Sequence, residues 1–318
     1  MNDAWIITDG AAGNLRQARA LARAAGLVPA EIVVGLRPPW AWSAPHLPRA
    51  AQFAIDNDTR RRLRPPWPPL AIGCGRAAAW VTRWLRRNSH GACFCVQILD
   101  PRITPRHWDM VIAPQHDAVR GDNVLNPLGS LNPVDSAWLA TGRADFPELA
   151  ELPQPRTAVL LGGPRRGVAF DAAHARALLD GLLALQARDG GSFMLSASPR
   201  TPAEFAHALR EGLAPFPGLA FTRDTDGRNP YAGILAWADR AVVTPDSVNM
   251  LSEAAASGSP VLTLVPGPLP EKLARFHTAL RSGGWLHDLQ AAAVSPTQPL
   301  RETGDIGAEL RRRLLARR

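Results

Sequence analysis

The sequence predicts an α/β protein built from two open, parallel β-sheets in series. Short segments that are apolar throughout alternate with stretches of helical spacing, a pattern typical of parallel strands covered on both faces. The same alternation begins again at about residue 156. The chain has 318 residues, and at roughly 150 residues per domain this length indicates two domains.

The first domain is predicted over residues 1–140. Its first strand, at 5–8, stops at Asp9-Gly10, and a helix over 15–25 ends at Gly26. Further elements are predicted in the order strand 31–35, strand 70–73, helix 77–87, strand 94–99 and strand 110–113. The stretch 38–69 is rich in proline, tryptophan and arginine, which indicates a surface excursion with a short helix near Ala50.

The second domain is predicted over 156–300, after a proline-containing junction at 138–156 that would permit a hinge. Its elements are predicted in the order strand 157–161, helix 172–187, strand 192–195, helix 202–213, strand 219–222, helix 231–238, strand 240–243, helix 248–256 and strand 260–265. The arginine-rich segment 301–318 is predicted as a terminal helix.

Composition narrows the class of protein. Hydrophobic residues make up 46% and charged residues 20%, which excludes wholesale disorder. The net charge is +8, and Lys272 is the one lysine among 36 basic residues. This bias fits a GC-rich genome, a preference for anionic ligands, or both. No apolar run reaches the roughly 18 residues needed to span a bilayer, and the N-terminus lacks a signal-peptide pattern, so a cytoplasmic protein is expected.

A metal site is not expected, because Cys74, Cys93 and Cys95 are accompanied by no His or Cys pair at zinc spacing. Three cysteines are also too few for a disulfide framework and fit a reducing compartment.

Polar residues follow successive strands of the second domain, where ligands bind in open α/β sheets. Glycines allow close approach, while hydroxyls, a guanidinium and helix N-termini bind phosphate oxygens. The sequence therefore indicates a ligand with a diphosphate, with helix capping by Ser, Thr and Asp as the alternative explanation. The candidate residues are Gly162, Gly163, Ser196, Ser198, Arg200, Thr201, Asn229, Tyr231, Thr244, Asp246 and Ser247.

Glu253 lies seven residues after Asp246, which places it about two turns along the same helix face. A carboxylate there suits ribose hydroxyls, and an exposed helical glutamate is the alternative.

In the first domain, Asp9 ends the first strand and is a candidate general base or acceptor-binding carboxylate. His116 and Asp117, in a loop after another strand, form a second candidate for proton transfer. Turn or loop residues without a catalytic task are the alternative for both. The candidate acceptor-side residues are Gly10, Gly13, Asn14, Gln17, Asp100 and Asn123.

Three motifs compete with this interpretation. Residues 73–78 match G-x-G-x-x-A after a strand, a loose dinucleotide fingerprint that keeps an NAD-linked enzyme open. Asp224-Thr225-Asp226 has the carboxylate spacing of a metal–diphosphate site but lies in a polar, turn-rich stretch. RRRLRPPWPP at 60–69 suits an anionic membrane surface or a plain surface loop. No recognition motif supports nucleic acid as a partner.

Several of these segments together resemble the mitochondrial fission Elm-type (elongated mitochondria) family and its bacterial relatives. They cover most of the chain in order, leaving out 37–69 and the C-terminal tail. One departure is SASPR, where a second hydroxyl and a further arginine are expected. The matching segments are ITDGAAGNLRQA at 7–18, IGCGRAA at 72–78, VQILDPR at 96–102, DMVIAPQHD at 109–117, NVLNPLGSLN at 123–132, LLGGP at 160–164, SPRTP at 198–202 and 228–261.

The resemblance implies a GT-B-like fold, with two Rossmann-like domains and a cleft between them. It implies a UDP- or GDP-type nucleotide sugar in the second domain near Glu253, an acceptor in the first, and neither cofactor nor metal. The plant member recruits a dynamin-related protein at the mitochondrial surface. A non-catalytic scaffold with a protein partner or a peripheral membrane contact therefore stays open beside a glycosyltransferase-like enzyme.

Overall fold

The computed structural model of the protein describes residues 4–46, 54–291, 294 and 298–317. Contacts divide the chain into two units, one formed by 1–133 with 302–318 and the other by 134–301. Each unit contains a six-stranded sheet in which every neighbouring pair is parallel. The predicted fold class is confirmed.

The first unit is a sheet of order β2-β1-β3-β4-β5-β6 covered by helices. Its strands are β1 (Ala4–Thr8), β2 (Ala30–Val33), β3 (Leu70–Cys74), β4 (Phe94–Ile98), β5 (Met110–Ile112) and β6 (Val124–Leu125). Its helices are α1 (Ala12–Ala24), α2 (Trp40–Ser43), α3 (Asn57–Arg62), α4 (Arg76–Asn88) and the terminal α11 (Thr303–Leu315).

Both faces of this sheet are buried, which explains strands that are apolar throughout. Ile6 and Ile7 are neighbours in β1, and successive side chains of a strand point to opposite faces. Ile6 joins the apolar cluster beneath α1, and Ile7 joins the cluster beneath α4. Trp80, fully buried in the second cluster, anchors α4.

The second unit is a sheet of order β12-β11-β10-β7-β8-β9. Its strands are β7 (Arg156–Leu161), β8 (Ser192–Ala197), β9 (Gly218–Phe221), β10 (Arg240–Val243), β11 (Val261–Thr263) and β12 (Leu286–Asp288). Its helices are α5 (Ser136–Asp145), α6 (Ala172–Asp189), α7 (Ala203–Leu213), α8 (Tyr231–Trp237), α9 (Val248–Ser257) and α10 (Glu271–Ser282). Residues such as Leu178, Leu182 and Leu209 form the core between α6, α7 and the sheet.

Three elements differ from the sequence prediction. The stretch 138–156, predicted as a junction, lies within the second unit because α5 packs on α8. A Cβ on Gly142 would lie 2.6 Å from the Ala232 carbonyl oxygen, so this contact requires glycine. The strands β6 and β12 were not predicted, since two or three residues carry no periodic signal. The predicted helix near Ala50 lies outside the described residues.

The terminal helix, predicted as a separate segment over 301–318, completes the first unit as α11. Ile306 and Leu310 enter the cluster beneath α1. A Cβ on Gly307 would lie 2.7 Å from the Ala24 carbonyl carbon, which shows how closely α11 approaches α1.

The segment 60–69 is folded against the first unit rather than extended from it. Trp67 donates its indole N–H to the Leu63 carbonyl at 2.9 Å and contacts Trp84 edge to face at 6.3 Å between ring centroids. Arg61 and Arg64 are exposed. The tryptophan is therefore a packing residue, and the arginines form the surface of this segment.

Candidate functional site

The candidate site of the second unit lies at the carboxyl ends of its central strands. Because β10, β7 and β8 are adjacent and parallel, the segments that follow them meet at one edge. These segments are 162–165, 198–201 and 244–247. Hydrogen bonds join all three, so the residues after these strands converge at one edge of the sheet.

The Gly162-Gly163 pair is bonded to the segment after β10. The Gly162 N–H donates to Thr244 Oγ1 at 2.8 Å, and the Gly163 N–H donates to Asp246 Oδ2 at 3.0 Å. Thr244 Oγ1 also donates to Asp246 Oδ1 at 2.7 Å. The two glycines were expected to let a phosphate-bearing ligand approach the backbone, but in the structure side chains of the chain itself accept from their N–H groups.

Glycine is required at both positions by close packing. A Cβ on Gly162 would lie 2.3 Å from Asp246 Oδ2, and a Cβ on Gly163 would lie 2.6 Å from Arg200 Cβ. The glycines therefore admit the buried carboxylate and the segment after β8.

The hydroxyls after β8 serve the same internal network. Ser198 Oγ donates to the Gly162 carbonyl at 2.8 Å, and Thr201 Oγ1 donates to the Leu161 carbonyl at 3.0 Å. Ser196 is buried inside β8. Arg200 differs, because its side chain is 63% exposed while Nη2 lies 3.9 Å from Asp246 Oδ2. Its guanidinium is the group of this segment that is available to a ligand.

Asp246 is the buried acid at the centre of the network. Its side chain is fully buried, and burial raises the pKa of its carboxyl above the ordinary value of 3.8. Hydrogen bonds from the Gly163 N–H and the Thr244 hydroxyl, and the charge of Arg200, oppose this shift. Asp246 therefore holds the loops in place rather than facing a phosphate.

Helix α9 begins directly after this acid. Ser247 is its N-cap, and Ser247 Oγ accepts from the Met250 N–H at 3.3 Å. Glu253 is 1% exposed, not a solvent-facing residue. Glu253 Oε2 accepts from the Tyr231 hydroxyl at 2.5 Å, and the Tyr231 N–H donates to Asn229 Oδ1 at 3.0 Å. The structure thus joins Asn229, Tyr231 and Glu253 by hydrogen bonds.

A cavity of about 860 Å³ opens between α7 and the ends of β8 and β9. Ser198, Thr201 and Asn229 line it together with α7 residues. This volume is within the range of small-molecule sites.

The Asp224-Thr225-Asp226 motif lies at the rim of this cavity in a short 3₁₀ turn. Asp226 accepts from the Thr222 N–H at 2.8 Å and from Arg210 Nη1 at 3.0 Å. These bonds hold the pKa of its carboxyl well below the ordinary value. Asp226 therefore organises a turn. Within the described ranges, no group of three or more His, Cys, Asp or Glu side chains is placed to hold a metal ion.

Two residues that sequence reasoning missed also support the site. Arg165 Nη1 donates to the Asp246 carbonyl at 3.2 Å. Its position two residues after Gly163 is the sequence feature that could have marked it as a site residue. His277 Nε2 lies 2.8 Å from the Pro245 carbonyl oxygen. Burial lowers the pKa of His277. It comes from α10, and no local pattern marks it.

In the first unit, Asp9 organises the turn into α1. Asp9 Oδ1 accepts from the Ala11 N–H at 3.1 Å and from Asn14 Nδ2 at 2.9 Å. A Cβ on Gly75 would lie 2.6 Å from Asn14 Nδ2, so the turns after β1 and β3 touch. Gln17 is buried one turn further along. Asp9, Gly10 and Asn14 thus share one turn, with Gly13 between them in the chain.

The remaining first-unit candidates have separate local roles. His116 and Asp117 are both buried, with 3.8 Å between Nε2 and Oδ1. Asp100 Oδ1 accepts from the Arg102 N–H at 2.7 Å. Asn123 donates through Nδ2 to the Pro105 and Trp108 carbonyls, each at 2.9 Å, and so fixes a loop.

The glycine turn 73–75 is tightly packed. Gln97 Nε2 donates to the Gly75 carbonyl at 3.2 Å, and a Cβ on Gly73 would lie 2.8 Å from Gln97 Oε1. Arg76 Nη2 donates to the Ala41 carbonyl at 3.0 Å. These contacts account for the glycines without a ligand, while the NAD-linked alternative stays a sequence-based hypothesis.

Solved structures with a similar fold include two UDP-GlcNAc 2-epimerases and MurG. UDP-GlcNAc 2-epimerase from Methanocaldococcus jannaschii matches with a TM-score of 0.60 and 11% identity over 98% of this chain and 99% of that chain. The Neisseria meningitidis UDP-GlcNAc 2-epimerase bound to UDP-GlcNAc matches with a TM-score of 0.58, 10% identity and the same coverage. Acinetobacter baumannii MurG matches with a TM-score of 0.50 and 13% identity over 98% and 92%. The protein is thus of the GT-B fold class.

The chain belongs to the mitochondrial fission ELM1 family, whose model matches residues 12–314. The mitochondrial fission protein ELM1 of Arabidopsis thaliana is 31% identical over 293 residues, covering 83% of this chain and 68% of that protein. Protein RP120 of Rickettsia prowazekii is 25% identical over 301 residues, covering 82% and 83%. The predicted family resemblance is confirmed. No helix in the described residues is long and apolar enough to cross a membrane.

Proposed function

We propose that the second unit binds a UDP- or GDP-type nucleotide sugar and that the protein is a metal-independent glycosyltransferase or a related nucleotide-sugar enzyme. The observation that carries this proposal is the exposed Arg200 guanidinium held beside buried Asp246 at the start of α9. A cation next to a helix N-terminus favours a diphosphate. The Neisseria meningitidis structure of the same fold, which is bound to UDP-GlcNAc, supports the same ligand class.

The proposed role of each residue follows from the hydrogen-bonding groups that it can offer to a ligand. Arg200 and Arg165 bind the diphosphate from one side, and the first N–H groups of α9 bind it from the other. Glu253 accepts from ribose hydroxyls, exchanging or sharing its bond with the Tyr231 hydroxyl. The Gly162–Thr244–Asp246 network does not touch the phosphate but keeps the three loops in register.

The proposed transfer forms a bond between an acceptor oxygen and the anomeric carbon as the bond to the diphosphate oxygen breaks. The leaving diphosphate then carries the added charge, which Arg200 and the α9 N-terminus stabilise. Asp9 is the proposed base for the acceptor proton, with the His116–Asp117 pair as the alternative.

Calorimetric titration and thermal shift with UDP, GDP and their sugars test the nucleotide site. We expect one nucleotide series to raise the melting temperature, and Arg200→Ala to weaken its binding about tenfold, as for a lost charge-assisted hydrogen bond. Arg176→Ala is the matched control, because Arg176 is an exposed arginine of the same unit paired with Asp180 on α6. Equal binding by both variants, or no effect of any nucleotide, contradicts the proposal.

A second candidate function is a non-catalytic scaffold that recruits a partner protein at a membrane surface. The exposed arginines of segment 60–64 and the name of the Arabidopsis relative favour it. Turnover that Asp9→Ala abolishes while the fold is intact counts against the scaffold. Partner capture that depends on residues 60–69, without turnover, favours it.

A further inference from the structure

The excess positive charge of the protein belongs to one unit. Residues 1–133 and 302–318 contain 21 arginines against 12 acidic residues, a net charge of +9. Residues 134–301 contain 15 basic against 16 acidic residues, a net charge of −1. A genome-wide arginine bias would act on both units alike. The segregation therefore points to a use for cations in the first unit.

Part of this positive charge lies where the loop that contains residues 106–109 packs along helix α4. Trp108 is buried and donates its indole N–H to Thr82 Oγ1 at 2.8 Å. One residue further on, Asp109 Oδ1 lies 3.1 Å from Arg86 Nε. The segment 107–109 thus runs beside α4 between positions 82 and 86. His107 lies close enough to Arg83 for that charge to act on its imidazole, and Arg106 precedes His107 in the chain.

Four side chains form this cationic cluster, namely Arg83, Arg87, Arg106 and His107. Arg83 and Arg87 are four residues apart on α4, where like charges repel each other. Arg83 donates to two neutral acceptors, the carbonyls of Pro45 at 2.7 Å and His46 at 3.1 Å. In the described part of the chain, none of the four forms an ion pair with a carboxylate, and Asp109 is bound by Arg86 and Arg317.

We propose that the cationic cluster is a binding site for a phosphate group. Arg83 and Arg87, one helical turn apart and without a carboxylate partner among the described residues, offer a dianion several N–H donors and relieve their own repulsion on binding. The carbonyls that hold Arg83 fix its position before the ligand arrives. The site belongs to the first unit and does not depend on the proposed nucleotide site.

The affinity of the cationic cluster for an anion is expected to depend on pH through His107. Burial, and then the charges of Arg83, Arg106 and Arg86, lower the pKa of His107. Asp109 is an acidic group on the same segment as His107, and both Arg86 and Arg317 form ion pairs with it. A bound dianion raises the pKa of His107 towards or above its ordinary value, so His107 takes up a proton on binding. Affinity for a dianion therefore increases as pH falls.

Titration of the full chain with sodium sulfate and with inorganic phosphate, followed by the NMR shifts of the His107 ring, tests the site. Sulfate keeps both charges throughout the range in which histidine titrates. We expect saturable binding that Arg83→Gln and Arg106→Gln each weaken about tenfold. Arg106 makes no hydrogen bond among the described residues, so Arg106→Gln tests the site even if Arg83→Gln disturbs the 45–46 loop.

Arg120→Gln is the matched control, because it removes one exposed arginine of the same unit that donates to the Val119 and Gln115 carbonyls. Its affinity is expected to equal that of the unmodified chain. Sulfate binding should tighten at low pH in the unmodified chain and stay level with pH in His107→Gln. Equal loss in Arg106→Gln and Arg120→Gln, or no saturable binding, overturns the proposal.

Cosedimentation with vesicles of phosphatidylcholine with phosphatidic acid, and of phosphatidylcholine alone, separates the two sources of phosphate. Retention on phosphatidic acid that Arg106→Gln abolishes and Arg120→Gln does not supports the cluster and assigns a lipid headgroup. Saturable free-phosphate binding without retention supports it and assigns a soluble phosphorylated ligand. Retention that both variants leave intact, without free-phosphate binding, overturns it.

Discussion

Asp246 shows how a residue can lie in a candidate site and still have a structural task. Its side chain is fully buried and accepts from the Gly163 N–H and the Thr244 hydroxyl. The hydroxyls of Ser198 and Thr201 likewise donate to the carbonyls of Gly162 and Leu161 at the end of β7. Among these residues, the Arg200 guanidinium is the group that stays largely exposed.

Thr244→Val tests the internal network. The substitution removes the oxygen that accepts from the buried Gly162 N–H, so we expect the free energy of unfolding to fall by about 1–3 kcal/mol. Urea denaturation measures the loss. Thr141→Val, the same change at an exposed position of α5, should cost less than about 0.5 kcal/mol. Equal losses for the two variants would show that the Thr244 hydroxyl does not support the loop.

Asp246 also predicts a pH dependence of stability. Between the ordinary pKa of 3.8 and its raised value, the folded chain keeps a proton that the unfolded chain has released. The contribution of Asp246 to the free energy of unfolding therefore falls as pH rises through that window. Urea denaturation at several pH values should show the advantage of the unmodified chain over Asp246→Asn shrinking as pH rises.

Asp189 is the control, because its pKa is shifted in the opposite direction to that of Asp246. Hydrogen bonds from Arg188, and then from Arg240, lower the pKa of Asp189 to about 2. Its stabilisation is present above the ordinary value of 3.8 and is lost as pH falls towards 2. The same slope for Asp246→Asn and Asp189→Asn would contradict the assignment.

At the scale of elements, α11 illustrates a contact between distant parts of the chain. Its apolar residues Ile306 and Leu310 enter the cluster beneath α1. Arg311 Nη1 donates to the Ala24 carbonyl at 3.1 Å, which satisfies an acceptor at the end of α1. The C-terminal segment is therefore an integral part of the first unit.

Leu310→Ala and Leu315→Ala form a matched pair on α11. Leu310 is fully buried, and its truncation leaves a cavity expected to cost about 2–5 kcal/mol. Leu315 is 67% exposed, and the same change there should cost less than about 0.5 kcal/mol. Chemical denaturation measures both. Similar losses at the two positions would mean that α11 does not dock as described.

The main elements followed from sequence because their signals are local. Apolar runs such as 70–74 and 94–98 form strands, and the helical spacing after 70–74 forms the covering helix α4. The strand β12 and the docking of α5 on α8 did not follow, because they depend on residues distant in the chain. The same holds for His277, which supports the Pro245 carbonyl from α10.

At the scale of the whole molecule, the two units share an architecture but differ in charge. The second, nearly neutral unit contains the candidate nucleotide site, and the first unit contains the excess arginine. A similar sheet can thus present different surfaces, because the sheet depends on buried residues while charge is decided by exposed ones.

The sequence by itself determined the fold class, the family and the segments that line the candidate site, since alternating apolar runs and post-strand motifs are properties of neighbouring residues. The tertiary structure decided which donors of those segments are already bonded and which, like Arg200, remain available. It also decided that Arg83 donates to the carbonyls of Pro45 and His46 and, among the described residues, to no carboxylate. Hydrogen-bond partners and burial depend on residues far apart in the chain, so no local pattern could assign them.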